Sequence, residues 1–259
     1  MKSFAERFRG GDLLLGTFIK TPTSHASEIL GDAGLDFVVV DQEHAPIGRG
    51  AIDQIMLGCR AAGIAGLVRV PSPQPSDILS VLDCGATGVL VPHVASVERA
   101  RAMAEAARYR GGHRGFSNSP RAGRYGVTGM HDHIAQQDRD IVTLAMIEDP
   151  EALDVIDDIL AVDGLDGIFI GRGDLTVSMK AKSAQEPEVQ AAVAKILAAA
   201  ARAGKPACVM VGGVADATGF REAGASAFIV SSDQGLMRLG AQRLRKDFAP
   251  LTEARTPAE

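Results

Sequence analysis

The chain has 259 residues, 46% hydrophobic and 23% charged, the balance of a globular protein that can bury a full core. A formal net charge of −5 argues against bulk binding to nucleic acid or to an acidic membrane surface, and no apolar run approaches the ~20 residues that span a bilayer. The charged start MKSFAERFRGG lacks a signal-peptide apolar core, and Cys59, Cys84 and Cys208 are scattered without C-x-x-C spacing, which fits reduced thiols and a cytoplasmic location.

Along the chain, short Val/Ile/Leu-rich runs alternate with helical patterns. Leu13–Ile19 reads as a strand, followed by a helix over Thr23–Ala33 that stops at Gly34. The strand Phe37–Val40 precedes a helix over Arg49–Ala62, and Gly66–Val70 precedes one over Ser76–Cys84. Gly88–Val94 leads into Ser96–Arg108, where serine supplies the cap. A long Gly- and Arg-rich connection, Tyr109–Asp140, reads as a loop, and loops of that length are more often functional than idle. Val142–Ile147 and the helix Pro150–Leu160 follow, then the strand Gly167–Ile170, the helix Pro187–Ala203, the strand Ala207–Val211, the helix Val214–Ala223 and the strand Ala227–Val230. The strands are nearly continuous in apolar residues, as strands buried on both faces are. Eight such repeats in one domain, residues 1–259, predict a closed α/β barrel of the (β/α)8 (TIM) type with parallel strands; an open doubly wound sheet is the competing architecture. The tail 252–259 is expected to fray.

In such a barrel the chemistry gathers at the C-terminal strand ends. Those ends carry Lys20, then Asp41, Glu43 and His44, then Arg69, His93, Glu148 with Asp149, Asp174, the pair Gly212–Gly213, and Ser231, Ser232 and Asp233. Acids on the tips of the adjacent fifth and sixth strands can reach one cation, and two carboxylates with the rest left to water is the habit of Mg²⁺ or Mn²⁺. His44 could move a proton and Arg69 could stabilise a developing oxyanion. Each residue alone also has a plain alternative. Asp41 and Glu43 could cap a helix or form a surface ion pair, Glu148 could be a first-turn acid, Asp174 an N-cap and Arg69 a structural ion-pair partner. His93 has no evident partner and reads as structural, and the H-D-H of His131, Asp132 and His133 reads as solvated surface. Gly212 and Gly213 could cradle a phosphate but have no basic partner nearby in the sequence.

The stretches V-V-V-D-Q-E-H-A-P, L-V-R-V-P, L-D-C-G-A-T-G-V-L-V-P-H-V, A-R-Y-R-G-G-H-R-G, I-E-D-P-E-A-L and V-D-G-L-D-G-I-F-I-G-R-G-D-L, in that order over about residues 12 to 235, resemble the HpcH/HpaI family of class II, metal-dependent 2-oxo acid aldolases. The resemblance implies a (β/α)8 barrel assembled as a hexamer or trimer with its last helix exchanged between neighbours. It implies that Glu148 and Asp174 hold a divalent metal ion (Mg²⁺, Mn²⁺ or Co²⁺). It further implies His44 as the acid–base residue oriented through Asp41, Arg69 on the enolate oxygen, and Asp83 near a neighbouring subunit's site. The backbone around Gly173 and Asp174 would receive the substrate carboxylate. The implied activity is reversible cleavage of 4-hydroxy-2-oxo acids to pyruvate, or a related 2-oxo acid, and an aldehyde.

Two departures stand out. Met146 occupies a position where the family commonly has Gln, and Arg172-Gly173 stands where Pro-Ala is frequent, which sends an extra guanidinium either toward an acidic aldehyde or into solvent. The rivals are an acyl-CoA lyase of the citrate or malyl-CoA type, a Schiff-base aldolase using Lys20 or Lys205, and a barrel that binds a 2-oxo acid without turnover.

Overall fold

The computed structural model describes residues 2–253; the remainder of the expected frayed tail lies outside the described residues. Its elements are α1 (Phe4–Arg9), β1 (Leu14–Ile19), α2 (His25–Asp32), β2 (Phe37–Asp41), α3 (Arg49–Ala62), β3 (Ala65–Arg69), α4 (Pro75–Asp83), β4 (Gly88–Val91), α5 (Val97–Ala107), α6 (Met130–Asp140) and β5 (Val142–Ile147). They continue with α7 (Ile156–Leu160), β6 (Gly167–Ile170), α8 (Arg172–Ser178), α9 (Pro187–Ala203), β7 (Ala207–Val211), α10 (Val214–Glu222), β8 (Ala227–Ser232) and α11 (Asp233–Glu253). The eight strands close in chain order into one barrel, and every neighbouring pair is parallel. This is the (β/α)8 architecture that the sequence predicts.

Strand side chains alternate between two cores. Val38 and Val40 point outward into the layer shared with the helices, together with Val68, Ile147 and Ile170. Phe37 and Val39 point inward, with Leu67, Leu144, Met146, Phe169 and Ile229, and fill the barrel. The inward phase, continued two residues further, lands on polar groups at the strand ends: Asp41 after Val39, Arg69 after Leu67 and Glu148 after Met146. The site is therefore the polar top layer of the barrel filling.

The opposite end is plugged by α1. A capping box sets its start, with Ser3 Oγ accepting from Glu6 N and the Glu6 carboxylate accepting from Ser3 N. Ala5 and Phe8 are buried, and the Phe8 ring presses on Gly167, the first residue of β6. Ion pairs from Arg7 to Asp36 and from Arg9 to Asp166, both 2.7 Å, fasten the helix.

Three expectations change. The connection Tyr109–Asp140 contains a 3-10 turn, Arg121–Gly123, and the 11-residue α6. His133, expected at the solvated surface, is 1% exposed; it hydrogen-bonds the Tyr109 hydroxyl at 3.1 Å and takes the Tyr109 and Phe116 rings edge-on. The Asp138 carboxylate accepts from the N–H groups of Tyr109 and Arg110, so α6 docks by polar contacts rather than by an apolar stripe. The helix expected over 150–160 splits into a 3-10 segment, Pro150–Asp154, and α7. All three cysteines are free and buried.

Helix α11 leaves the barrel wall, with Leu244, Phe248 and Leu251 exposed. Beside its root, an apolar groove of about 740 Å³ lies between β1, β8 and α10, lined by Leu13, Leu15, Val214, Ala217 and Leu236.

Gly16 measures how tightly the barrel is filled. A Cβ there would meet the Phe37 ring and the Phe37 carbonyl oxygen, each at 2.7 Å. Gly16→Ala is expected to lower stability by ~1–3 kcal/mol through overpacking, read as a reduced urea midpoint at unchanged m-value.

Candidate active site

Two charge clusters share the barrel mouth. In the first, Asp41 and Arg69 are paired partners in the β2–β3 register and are 0% and 5% exposed. Arg69 donates Nε to Asp41 Oδ1 at 3.0 Å and NH2 to Oδ2 at 2.7 Å, a bidentate fork. Its NH1 lies 3.3 Å from Glu43, and its guanidinium stacks over the Phe18 ring at 5.0 Å. Lys20 Nζ reaches Asp41 at 3.0 Å. Burial alone would push the Asp41 carboxyl up, but the hydrogen bonds and charge of Arg69, with smaller help from the His44 N–H and Lys20, hold it down at about 2.

His44 stands on the rim with its ring half exposed. Asp41 touches its backbone N–H, at 3.0 Å, while the ring lies 3.7 Å from Glu43. The Asp41 carboxylate thus orients the turn and Arg69, not the imidazole.

The second cluster is built on Glu148, 2% exposed. Its Oε1 accepts the His93 N–H at 2.7 Å, and His93 Nδ1 lies 3.4 Å from Glu148 and 3.2 Å from Asp149. His93 adopts a left-handed φ of 55°, which turns its N–H toward Glu148; Arg99 ties down its carbonyl oxygen at 2.7 Å. From sequence this residue has no evident partner and reads as structural; the fold supplies Glu148 and Asp149. Burial lowers the His93 pKa, and the charges of Glu148 and Asp149 override it to give a net rise. Asp174, in the first turn of α8, comes within hydrogen-bonding reach of Glu148. Burial first, with Asp174 adding to it, pushes Glu148 up to about 7 against the pull of His93. Space here is tight: a Cβ on Gly171 would lie 2.7 Å from Glu148 Cβ.

The donor set fits a hard divalent cation. Two carboxylates converge, one of them buried, and among the described residues the ionic partner of Glu148 is His93. Ligand atoms of His93, Glu148 and Asp149 also lie within 4.8 Å of one another, so these are further candidate donors.

A cavity of about 930 Å³ opens over the β6, β7 and β8 ends, and Arg69, Met146, Gly173 and Asp174 line it. A side chain at Gly173 would meet nothing within 4 Å, so its peptide is accessible. Asp83 lies elsewhere. It ends α4 just before β4 begins, at the opposite face of the barrel, 3.4 Å from Arg114. Within one chain it is not part of this site. Arg172, expected to point toward an acidic aldehyde or into solvent, lines this cavity and is bound to Asp216, also on its wall, at 2.7 Å. Of the two candidate Schiff-base lysines, Lys20 is engaged by Asp41, and Lys205 donates to the Val162 carbonyl at the start of β7.

Glu148 carries a pH dependence. Its folded value of about 7 exceeds the ordinary 4.5, so in metal-free protein its contribution to stability falls as pH rises from 4.5 to 7. A cation must displace that proton, and its affinity should weaken about tenfold per pH unit below 7. At one fixed, subsaturating Mg²⁺ concentration, the Tm gain over the chelated protein is expected to be larger at pH 8 than at pH 6 in differential scanning fluorimetry.

The HpcH/HpaI aldolase/citrate lyase family model matches residues 14–238. A 5-keto-4-deoxy-D-glucarate aldolase of Escherichia coli is 36% identical over 225 residues, covering 86% of this chain and 87% of that protein. The crystal structure of an HpcH/HpaI aldolase/citrate lyase family protein from Burkholderia cenocepacia superposes with a TM-score of 0.87 at 28% identity, covering 93% of this chain and 97% of that one. Citrate synthase SbnG superposes with a TM-score of 0.85 at 30% identity, covering 97% and 98%. The chain belongs to the HpcH/HpaI aldolase/citrate lyase family, and it is a lyase of the aldolase type.

Proposed function

We propose that the chain reversibly cleaves 4-hydroxy-2-oxo acids to pyruvate, or a related 2-oxo acid, and an aldehyde. The observation that carries this reading is the convergence of Glu148 and Asp174 at the mouth that also holds the buried Arg69. A divalent ion held by these two acids (Mg²⁺, Mn²⁺ or Co²⁺) would polarise the keto group and acidify the neighbouring C–H. The accessible peptide at Gly173 and Asp174 receives the substrate carboxylate. Arg69, locked by Asp41, offers its NH1 edge to the oxygen that gains charge as the C3–C4 bond breaks, and it needs no reorganisation to do so. His44 takes the C4 hydroxyl proton, and its exposed ring can exchange that proton with water. The bonding pair of C3–C4 becomes the enolate double bond, and a proton returned to C3 gives pyruvate.

The similar proteins are named 5-keto-4-deoxy-D-glucarate aldolases, which points to deoxy keto-sugar diacids as substrates. We take that class as the first to assay here. The likeness to citrate synthase SbnG favours condensation onto a keto acceptor as the second reading.

The test is metal-dependent pyruvate release from a panel of 4-hydroxy-2-oxo acids, with oxaloacetate as an alternative acceptor. Glu148→Gln is expected to weaken Mn²⁺ binding at least about tenfold. His44→Ala should keep Mn²⁺ affinity and lose ~10²–10⁴ in kcat. Wild-type turnover in both variants would remove the assignment.

We further propose a homo-oligomer, a trimer or hexamer, in which α11 of one copy covers the apolar groove of the next. The support is the pairing of exposed Leu244, Phe248 and Leu251 with the bare wall around Leu13, Leu15 and Val214. Leu244→Glu with Phe248→Glu should shift the mass in multi-angle light scattering to that of the monomer; an unchanged mass would reject the exchange.

A further inference from the structure

Helix α8 carries Gly173 and Asp174, yet little packing holds it. It has seven residues, of which only Leu175 is buried. Gly173 near its start adds backbone freedom, which disfavours a fixed helical turn. The family's frequent Pro-Ala at 172–173 would pre-set φ at the first helical position. Arg172-Gly173 does not, so something else must orient this turn.

The Arg172 side chain spans three segments. Its NH2 donates to the Met210 carbonyl at 2.6 Å and to Asp216 Oδ2 at 2.7 Å, and NH1 lies 3.3 Å from Asp216 Oδ1. The guanidinium stacks on the Phe220 ring at 4.6 Å. Asp216 also accepts the Gly212 N–H at 3.0 Å. The start of α8 is thereby fastened to the end of β7, to the loop after it and to α10. The Arg172 carbonyl accepts from Thr176 Oγ1 at 2.7 Å, which closes the turn from the other side. Arg172 lines the cavity, but its charge is already matched by Asp216, which lines the cavity beside it.

We infer that Arg172 is a positioning residue: its clamp on Asp216, the Met210 carbonyl and Phe220 fixes the first turn of α8 and so aims Asp174 and the Gly173 peptide into the cavity. The inference rests on the reading of Asp174 as a metal carboxylate. It assigns to a tertiary ion pair the role that a proline fills by covalent restraint.

The test measures Mn²⁺ affinity by electron paramagnetic resonance, with Tm and amide exchange over residues 173–179 of the metal-free protein. Arg172→Ala and Asp216→Asn are each expected to raise the Mn²⁺ dissociation constant about tenfold, as loss of a residue supporting a ligand does. Exchange over that segment should accelerate in both, and the double variant should be no worse than either single one. Arg172→Lys keeps the charge but loses the fork and the stack, and it should fall between. Arg172→Pro should recover part of the affinity without the clamp. Wild-type Mn²⁺ affinity in folded Arg172→Ala and Asp216→Asn, with only Tm lowered, would overturn the positioning role alone. Absence of Mn²⁺ binding by the unsubstituted protein would overturn both this inference and the metal reading beneath it.

Discussion

A buried carboxylate facing a second carboxylate must find positive charge or keep a proton, and Glu148 is in that position. The opposite half of the mouth is built differently. There Asp41 and Glu43 meet Arg69 and Lys20, two acids against two bases, so the charges of that cluster balance. The contrast sorts the roles. Arg69 is preorganised by a partner that stays ionised down to about pH 2, whereas Glu148 with Asp174 is open to an incoming cation. A cation supplied to the second cluster would relieve the repulsion that burial makes expensive, and binding would draw on strain already present in the protein.

The barrel imposes this arrangement through the phase of its strands. The inward residues of β2 and β3 are apolar until the last one, Asp41 and Arg69, and those of β5 are apolar until Glu148 just past its end. A slip of one residue in any of these strands would send its polar tip into the apolar layer beneath the helices and its outward residues into the barrel interior. The packing that fills the interior therefore also sets the position of the chemistry. Gly171 shows the same coupling at closer range, since any side chain there would push Glu148 aside.

This explains how much was legible in sequence. Apolar runs with Gly stops reported the eight strands and most outer helices, because nearly all strand residues are buried on both faces, Leu15 and Met210 being exposed. The strand-tip residues Asp41, Arg69, Glu148 and Asp174 were legible from their place in those runs. Helix α6 was not, because its one buried side chain, His133, gives no apolar period and its anchors are polar groups near Tyr109. His93 looked partnerless because its partner comes from the next strand, 55 residues on. Arg172 was ambiguous for the same reason: its acid lies 44 residues later, on α10. Asp83 shows the complementary limit, where a motif position was readable but its place on the opposite face of the barrel emerged only in three dimensions.

Closure of the ring adds one more constraint on the mouth. Asp233, at the junction of β8 and α11, is 6% exposed and accepts the N–H groups of Lys20 and Thr21 at 2.9 and 3.0 Å. The last strand thus grips the loop that follows the first. Lys20, held there by its own backbone, then reaches Asp41 with its side chain, and Asp41 holds Arg69. The chain of contacts runs from the root of α11 through three consecutive strands to the Arg69 guanidinium at the barrel mouth. The residue that starts the projecting helix is therefore part of the frame that keeps Arg69 in place.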